Sequence, residues 1–509
     1  MASDKPNDPT PDRIVAGTQP DVEMAPIANT ESKQDRDPYL VVFNSEYDAE
    51  NPKDWPAGRK WAVTDVLSAT GFNRIMVSTI MAPALSTIAK ELDMNSTESV
   101  MALSIYLLAT AFGPLFIGPL SEIYGRKRIL HLSNLWFLIW NIACGFATTK
   151  ELLIAARFLA GFGASAVYAL AGGVLGDVWS PEQRGKSLGV YLLIPLLGAA
   201  VGPIIGGFMA ARTTWRWMFW STSIFQAVMI FVAFTTFRET YAPLILRTRA
   251  EKLRQETGDQ QYQTVEERHH SHKSALSVLG RALTRPMRLI MFHPIIQITA
   301  AISAFYYGIL YILLSTFSDL WVDKYHQSVE ISGLHYIALA LGEMAGSQIG
   351  GPLMDYLYRR MQAARDASSR TLELYVPEFR IPLMFPGALI APLALFLYGW
   401  AGQYRLHWLV VDVGMFFTAF GMQIAGMPLT AYVIDTYAEH TSSAMAATQF
   451  LNSLTAFLFP LFAPKMYDAL GYGWSGSSMA FAGLIFGFPA PLILWYFGSK
   501  FRAKAQSTY

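Results

Sequence analysis

Cysteine and charge are both scarce in this chain. Cys144 is the single cysteine in 509 residues, so a fold held together by disulfide bonds is excluded. Charged residues make up 15% of the chain, against about 25% in a typical soluble domain. The net charge of +1 gives no reason to expect nucleic acid as a partner. A Gly-rich phosphate-binding loop of the Walker type is also missing, which argues against an ATP-driven pump, and nothing indicates a cofactor.

Long apolar runs dominate the chain instead. Hydrophobic residues make up 52% of it, and at ~20 apolar residues per helix there is room for about a dozen membrane spans. Six runs precede a polar stretch and six follow it, at 61–88, 99–120, 129–148, 152–177, 187–210, 216–237, 291–318, 331–356, 380–401, 406–433, 441–463 and 477–498. We therefore predict an all-α membrane protein with twelve transmembrane helices in two six-helix halves. The predicted segments are a disordered N-terminal tail (1–60), a first half (61–237), a central loop (238–290), a second half (291–498) and a C-terminal tail (499–509).

The basic residues of the short loops predict the orientation. Lys and Arg cluster between runs 2 and 3, between runs 4 and 5, in the polar stretch, between runs 8 and 9 and after run 12. Cytoplasmic loops carry such an excess, so both termini and the central loop are predicted to be cytoplasmic. We expect a multi-pass protein of the plasma membrane. The first residues, MASDKPNDPT, lack the leader of a cleaved signal peptide, so run 1 is expected to direct insertion. The triplet Asn95-Ser96-Thr97 falls in the first loop assigned to the outside, which makes Asn95 a candidate glycosylation site.

A motif at the end of run 2 recurs in the second half. GPLSEIYGRKR begins at Gly118 and GPLMDYLYRRM at Gly351, where Asp355 takes the place of Glu122. Gly118 would allow close helix approach, and Glu122 and Arg126, four residues apart, would pair on a continuing helix. Two interpretations stay open: a latch that breaks as the halves move, or an ordinary helix boundary with basic residues at the membrane surface.

Several motifs resemble those of the major facilitator superfamily. Besides the repeated motif, RFLAGFGAS in run 4 and GAAVGPIIGG in run 5 are similar to its signatures, the second of which is associated with proton-coupled antiporters. NPKDWP, ETYAPLILR, YGILY and YVIDTY resemble motifs of the fungal twelve-span drug:proton antiporter group. The resemblance covers about residues 45–500. It departs from the superfamily pattern at Glu122, where Asp is usual, and at Tyr358, which replaces Gly125 in the second copy.

The resemblance implies alternating access, with gating groups near the helix ends. Run 5 adds a stripe of small residues beside a proline, which serves either gating or plain helix packing. The candidate gating residues are Gly118, Glu122, Gly125, Arg126, Asp177, Gly202, Pro203, Gly206, Asp355 and Asp435.

Charged side chains inside the runs are the sharpest candidates for function, because a charge at the bilayer centre costs ~2.5–3.5 kcal/mol. Arg74, beside Asn73, lies near the middle of run 1, and Glu343 lies near the middle of run 8. Either Arg74 attracts an anionic or carbonyl-rich substrate while Glu343 carries a coupling proton, or the two form a structural ion pair. Arg74 could also extend to the membrane surface if the run boundaries are shifted.

Other polar groups in the runs are weaker candidates for substrate or proton binding. Arg157 lies a few residues after the start of run 4. The surrounding signature favours a functional role for it, whereas its position near the membrane surface favours a side chain that simply extends toward water. The remaining polar candidates serve either the cavity or helix packing: Tyr306, Tyr307, Tyr311, Gln423, Gln449 and Asn452. His269, His270 and His272 suggest a metal site, but no acidic or cysteine ligands frame them, so a solvated loop is expected and no metal is assigned.

These observations favour a secondary transporter rather than an enzyme. We expect export of a drug, toxin or secondary metabolite in exchange for protons, with the lipid bilayer, the small molecule and the proton gradient as partners and a monomeric state. A proton-coupled uptake symporter for a nutrient shares the fold, although the sugar-porter signatures after runs 6 and 12 are missing. A non-transporting receptor or a membrane-embedded enzyme is the further alternative, and neither a sensing tail nor a catalytic constellation is visible.

Overall fold

The computed structural model describes residues 39–44, 47–179, 181–269, 275–368, 376–437 and 441–506. These ranges are almost entirely helical, and their β pairing is a single parallel bridge between Leu40 and Gln263. Helices suit this composition because they satisfy every backbone N–H and C=O within the segment, as a bilayer interior requires.

The first half contains six spans. Span 1 continues from α1 through a 3₁₀ turn into α2, and span 4 is divided at Ser165 into α5 and α6. The helices are α1 (Ala57–Thr79), α2 (Leu85–Glu91), α3 (Ser96–Tyr124), α4 (Arg126–Gly145), α5 (Lys150–Ala164), α6 (Ala166–Val178), α7 (Pro181–Arg212) and α8 (Arg216–Thr236).

Three helices occupy the polar stretch between the halves: α9 (Ala242–Thr257), α10 (Val265–His269) and α11 (Ala275–Phe292). Gly258, with φ of 71°, ends α9 and donates its N–H to the carbonyl of Arg254. Polar composition had suggested a loop here, but a charged helix needs no membrane to form when its ends are capped. The segment at 39–44 and 47–56, assigned to the tail from the sequence, contacts α9 through Arg249.

The second half also contains six spans. Gly471, with φ of 68°, interrupts α16 and separates span 11 from span 12, which continues into α17. The helices are α12 (Pro294–Asp319), α13 (Val329–Ser368), α14 (Met384–Gln403), α15 (Trp408–Thr436), α16 (Thr441–Gly487) and α17 (Pro489–Gln506). A 3₁₀ segment, Pro377–Leu383, leads into α14. The predicted twelve helices in two halves of six are confirmed.

Eight helical stretches of the described chain are long and apolar enough to cross a membrane, and one of them, Ser443–Arg502, holds two spans. The spans built on α1, α4 and α13 are more polar. Because twelve spans alternate in direction, the segments before α1 and after span 12 lie at the same end of the bundle. We call this end, which also carries the α3–α4 turn and α9, the basic end, and the other the opposite end.

The two halves meet along two helix pairs, α3 with α16 and α7 with α13. In the first pair, the hydroxyls of Thr110 and Ser453 lie 3.0 Å apart. In the second, a Cβ at Gly333 would lie only 2.7 Å from the carbonyl oxygen of Pro203. At the opposite end, Arg212 Nε lies 2.8 Å from Glu330 Oε1. The Arg212–Glu330 contact joins the halves at the opposite end, whereas Thr110 and Ser453 join them near the middle of α3.

Candidate functional site

The turn between α3 and α4 is built around Gly125 and Glu239. Gly125 has φ of 94°, a conformation that L side chains rarely adopt, and a side chain there would strike Glu239 and Leu244. The Glu239 carboxylate accepts the backbone N–H groups of Arg126 at 2.9 Å and Lys127 at 3.2 Å. These N–H groups open α4 and have no partner within the helix, so Glu239 caps it from the end of span 6.

Arg126 pairs with Asp177 rather than with Glu122. Its Nη1 donates to Ser121 Oγ at 2.5 Å, and its Nε lies 3.5 Å from Asp177 Oδ2. Asp177 also accepts the hydroxyl of Thr240 at 3.3 Å. The predicted Glu122–Arg126 pair is wrong because α3 ends at Tyr124, so the two residues do not share one helix face. Glu122 is exposed.

Gly118 does not mediate a close helix contact, which corrects the expectation from its small size. A Cβ at this position would meet no atom within 4 Å. Its carbonyl oxygen accepts the hydroxyl of Ser121 at 2.6 Å.

The second copy of the motif reaches the same ion-pair arrangement by another route. Tyr358 replaces the glycine of the turn, and α13 continues through the motif to Ser368. Asp435, at the end of α15, is instead paired with Arg380 of the 3₁₀ segment that precedes α14. The Arg380 guanidinium also lies 3.6 Å from Asp355. Arg380 lies outside the repeated motif, so the sequence comparison missed it.

Arg74 is enclosed within the first half, where its guanidinium is only partly hydrogen-bonded. Its Nη2 donates to Asn134 Oδ1 at 2.6 Å, and the group lies 3.5 Å from the ring centre of Phe137. The Tyr106 hydroxyl donates to the Arg74 carbonyl at 3.1 Å. Arg74 Nε, Arg74 Nη1 and Asn134 Nδ2 have no hydrogen-bond partner in the described part of the chain. Asn134 and Tyr106 were not identified from the sequence, because a single buried Asn or Tyr gives no pattern.

Arg157 is a structural clamp in this geometry and does not extend toward water. It is fully buried, and its guanidinium donates to three backbone carbonyls, those of Val77 at 2.9 Å, Leu103 at 3.1 Å and Ala102 at 3.2 Å. The Val77 carbonyl lies in the last turn of α1, where carbonyls lack intrahelical donors. Arg157 thereby joins α5 to α1 and α3.

Asn73 joins α1 to α8. Its Nδ2 donates to Gln226 Oε1 at 3.1 Å and to the Thr222 carbonyl at 3.3 Å. The side chain is fully buried, so in this conformation it packs helices and does not line an open cavity.

Glu343 of α13 lies close to a pair of tyrosines from α12. The rings of Tyr307 and Tyr311 are 5.6 Å apart, and both side chains lie within electrostatic range of Glu343. Glu343 is half-buried, and none of the ion pairs found among the described residues includes it. The alternative of an Arg74–Glu343 ion pair is therefore not realised, since Arg74 bonds to Asn134 inside its own half.

Tyr168 of α6 lies near Arg74 and near the tyrosine pair of α12. It lies within electrostatic range of Arg74 in the first half and of Tyr307 and Tyr311 in the second. The sequence did not single out Tyr168, because only the fold brings α6 next to α12.

The remaining polar candidates divide between packing and unfilled hydrogen bonds. Gln449 donates to Ser453 at 3.0 Å, next to the contact between the halves. Asn452 Oδ1 and the Tyr306 hydroxyl are buried without a partner among the described residues. Gln423 is half-buried beside Gly346 of α13.

The stripe of small residues in α7 packs mainly inside the first half. A Cβ at Gly202 would lie 2.7 Å from the Met76 carbonyl, and one at Gly206 would strike the Ile80 carbonyl. Pro203, on the other side, contacts Gly333 of the second half. The stripe thus brings α7 against α1, and the adjacent proline lies at the interface between the halves.

Asn95, the candidate glycosylation site, is exposed at the opposite end and caps α3. Its Oδ1 accepts the N–H of Glu98 at 2.8 Å, and its own N–H donates to Glu98 Oε2 at 2.9 Å.

The described ranges contain no group of three or more His, Cys, Asp or Glu able to hold a metal ion. His270 and His272 lie outside those ranges.

Comparisons with known proteins agree with this architecture. The family model of the Major Facilitator Superfamily matches residues 67–460. A probable efflux pump, mfs2, of Aspergillus flavus is 57% identical over 430 residues, which cover 84% of this chain and 100% of that protein. The efflux pump vrtL of Penicillium aethiopicum is 40% identical over 495 residues, 96% of this chain and 95% of that one.

Solved structures show the same fold at low sequence identity. The xylose transporter XylE from E. coli, in a partially occluded inward-open conformation, gives a TM-score of 0.59 at 16% identity, covering 86% of this chain and 99% of that one. The human organic anion transporter MFSD10 gives a TM-score of 0.58 at 16% identity, covering 86% and 100%. The family match, the full-length relatives and the twelve-helix fold lead to one conclusion: the chain belongs to the major facilitator superfamily and is a multi-pass membrane transporter, not an enzyme.

Proposed function

We propose that this transporter exports a small organic compound from the cytoplasm, in exchange for protons and as a monomer. We assign it to the plasma membrane, since export from the cell must cross that membrane. The basic end faces the cytoplasm in this proposal, because Lys and Arg accumulate in cytoplasmic loops. Export is supported by the names of the relatives from Aspergillus flavus and Penicillium aethiopicum, both of which are called efflux pumps.

The observation that carries the proposal is the position of Glu343 within span 8, beside Tyr307 and Tyr311, which lie within electrostatic range of Tyr168 in the first half. A carboxylate in the middle of a span is costly unless it is paired, protonated or exposed to water. Glu343 has none of the ion pairs described above, and its neighbours Tyr307 and Tyr311 are uncharged side chains. A group that binds and releases a proton as water reaches it from alternate sides meets this requirement.

The chemistry around Arg74 favours a substrate with an anionic or acceptor-rich group. Three N–H-bearing nitrogens, Arg74 Nε, Arg74 Nη1 and Asn134 Nδ2, lack acceptors in the described chain. A guanidinium stays charged at any working pH and donates in a planar fork that suits a carboxylate or an acidic enol. We infer that such a group reaches these donors from the space between the halves when the two halves move apart.

Comparing compound accumulation in cells that lack the protein and cells that overproduce it tests the direction of transport. We expect overproducing cells to retain less of at least one compound in a panel of carboxylic acids, acidic enols and neutral analogues. A protonophore should abolish the difference, and a Glu343→Gln chain of equal abundance should not restore it. Higher accumulation in the overproducing cells would indicate uptake and reject the proposal.

A further inference from the structure

A cleft at the basic end has no role in the transport cycle described above. It has a volume of about 890 Å³ and lies between the segment that precedes α1, the first turns of α1 and α4, the end of α8, and α9. We call it the basic cleft. Its charged lining residues are Glu50, Arg59, Lys127, Arg128, Arg238, Glu239, Arg249 and Lys252.

Six of these eight side chains are basic, and both acids are already engaged. Glu50 Oε2 accepts Arg249 Nε at 2.8 Å, and the Glu239 carboxylate caps α4. Arg59 and Arg238 lie within electrostatic range of each other, and the ion pairs found among the described residues include neither. Arg249 is paired with Asp48 and Glu50, so within the described residues the unneutralised positive charge of the cleft comes from Arg59, Arg238 and the remaining basic residues of α4 and α9.

The wall of the basic cleft changes from basic to apolar with depth. Lys127 and Arg128 lie at the start of α4, whereas Leu132 lies five residues after Lys127, about 7.5 Å further along the helix. Leu132 is 63% exposed and Phe234 of α8 is 58% exposed, so both face the region that the bilayer occupies. A free phosphate would need only the basic part, but a phospholipid needs both parts.

His131 provides a separate sign of a missing ligand. It lines the basic cleft, is 9% exposed and stacks on Phe234 at a ring distance of 4.0 Å. Neither ring nitrogen has a hydrogen-bond partner in the described part of the chain. Buried polar groups are normally satisfied, and an imidazole N–H is a good donor to a phosphate oxygen.

We propose that the basic cleft binds an anionic phospholipid of the adjacent leaflet, with the headgroup phosphate at Arg59, Arg128 and Arg238 and an acyl chain along Leu132 and Phe234. Basic pockets between transmembrane helices bind such headgroups elsewhere. The bound lipid joins α1, α4, α8 and α9. It therefore braces the turn that carries Gly125 and Arg126.

Titration of the purified full-length protein in neutral detergent with fluorescent phosphatidylserine or phosphatidylcholine tests this. We expect phosphatidylserine to bind more tightly than phosphatidylcholine. In Arg59→Gln/Arg238→Gln the affinity for phosphatidylserine should fall about thirtyfold, at about 1 kcal/mol per basic residue. Arg59→Lys/Arg238→Lys, which keeps the charge, should retain most of the binding. The matched control, Arg359→Gln/Arg360→Gln, removes two exposed charges elsewhere at the basic end and should change binding less than about twofold.

Four results would overturn the proposal. An equal loss of phosphatidylserine affinity in the cleft variant and the control variant would mean that the lipid is attracted to the basic end as a whole. Displacement of the fluorescent lipid by inorganic phosphate at the same concentration as by unlabelled phosphatidylserine would mean a free-anion site. Binding that appears only after removal of residues 1–38 would assign the cleft to that acidic segment of the chain. Equal affinity for the two lipids would also contradict a site for anionic headgroups.

Discussion

Arg126 and Asp177 lie 3.5 Å apart at the basic end and join the start of α4 to the end of α6. Arg380 and Asp435 make the equivalent connection in the second half, between the segment that precedes α14 and the end of α15. Each pair lies within a single half, the first pair in the first half and the second pair in the second half. They therefore stabilise each half as a unit, while the contacts that must change during transport lie between α3 and α16 and between α7 and α13.

A double-mutant cycle on the first pair measures this connection. Arg126→Gln and Asp177→Asn should each lower the unfolding temperature in detergent, and the double variant should be more stable than the sum predicts by about 1 kcal/mol. The reason is that the two side chains are only 8% and 20% exposed, so each is left poorly solvated without the other. Strictly additive effects would mean that the pair contributes nothing.

Two glycines of the same motif should respond in opposite ways to alanine. Gly125→Ala should lower stability by about 1 to 3 kcal/mol, because its positive φ is unfavourable and the methyl group would strike Glu239 and Leu244. Gly118→Ala lies in open space inside α3 and should be neutral or stabilising by up to about 1 kcal/mol. Thermal unfolding of both variants checks this. A tolerated Gly125→Ala would show that the turn can relax.

The contact between the N-terminal segment and α9 should be stable to mild acid. Arg249 donates to Asp48 through Nη1 and Nη2, both at 2.8 Å, and holds the pKa of that carboxyl well below its usual range. Because the folded-state pKa is lowered, the contact stabilises the protein above a pH of about 4 and weakens as the pH falls toward the folded-state value. The protection of α9 amides, taken relative to their intrinsic exchange rates, should therefore be unchanged between about pH 7 and 5 and should decrease below about pH 4. Asp48→Asn should increase exchange at neutral pH, and an unaffected variant would contradict this assignment.

Arg74 and Arg157, both buried in the first half, should differ in what their loss affects. Arg74→Ala should reduce export of an anionic compound at least tenfold with normal abundance in the membrane. The reason is the proposed binding of substrate by its unfilled donors, at about 1.5 to 3 kcal/mol per charged hydrogen bond. Arg74→Lys should be intermediate, since lysine keeps the charge without the fork. Arg157→Ala should lower abundance instead, because three backbone carbonyls lose their donor. Export and membrane abundance, measured on the same cells, separate the two roles. Low abundance of Arg74→Ala, recovered by adding Glu343→Ala, would support a structural role for Arg74.

The sequence predicted the fold well and the contacts poorly, for identifiable reasons. Apolar runs report directly on membrane spans, so the six-plus-six arrangement followed from composition. The pairing of Glu122 with Arg126 failed because it assumed a continuous helix, and Gly125 ends that helix. Arg380, Asn134 and Tyr168 were missed because each acquires its partner only when distant spans pack together.

Glu343 was found from the sequence for the opposite reason. A carboxylate within an apolar run is rare because a charge deep in the membrane is costly, so it stands out in the sequence without knowledge of its neighbours. Its environment was not visible in the sequence. That Glu343 lies near the Tyr307–Tyr311 pair, and does not pair with Arg74, follows from the packing of α12 and α13.

Proton movement during export tests the central claim most directly. Liposomes containing the purified protein are loaded with a pH-sensitive dye and with the compound identified by the accumulation experiment, then diluted into buffer without it. Outward flow of the compound should acidify the lumen. Glu343→Gln, which keeps nearly the same volume but cannot release a proton, should remove the acidification, whereas the exposed control Asp323→Asn should not. Unchanged acidification by Glu343→Gln would contradict the assignment of the proton to this residue, and export by the unaltered protein without acidification would contradict antiport itself.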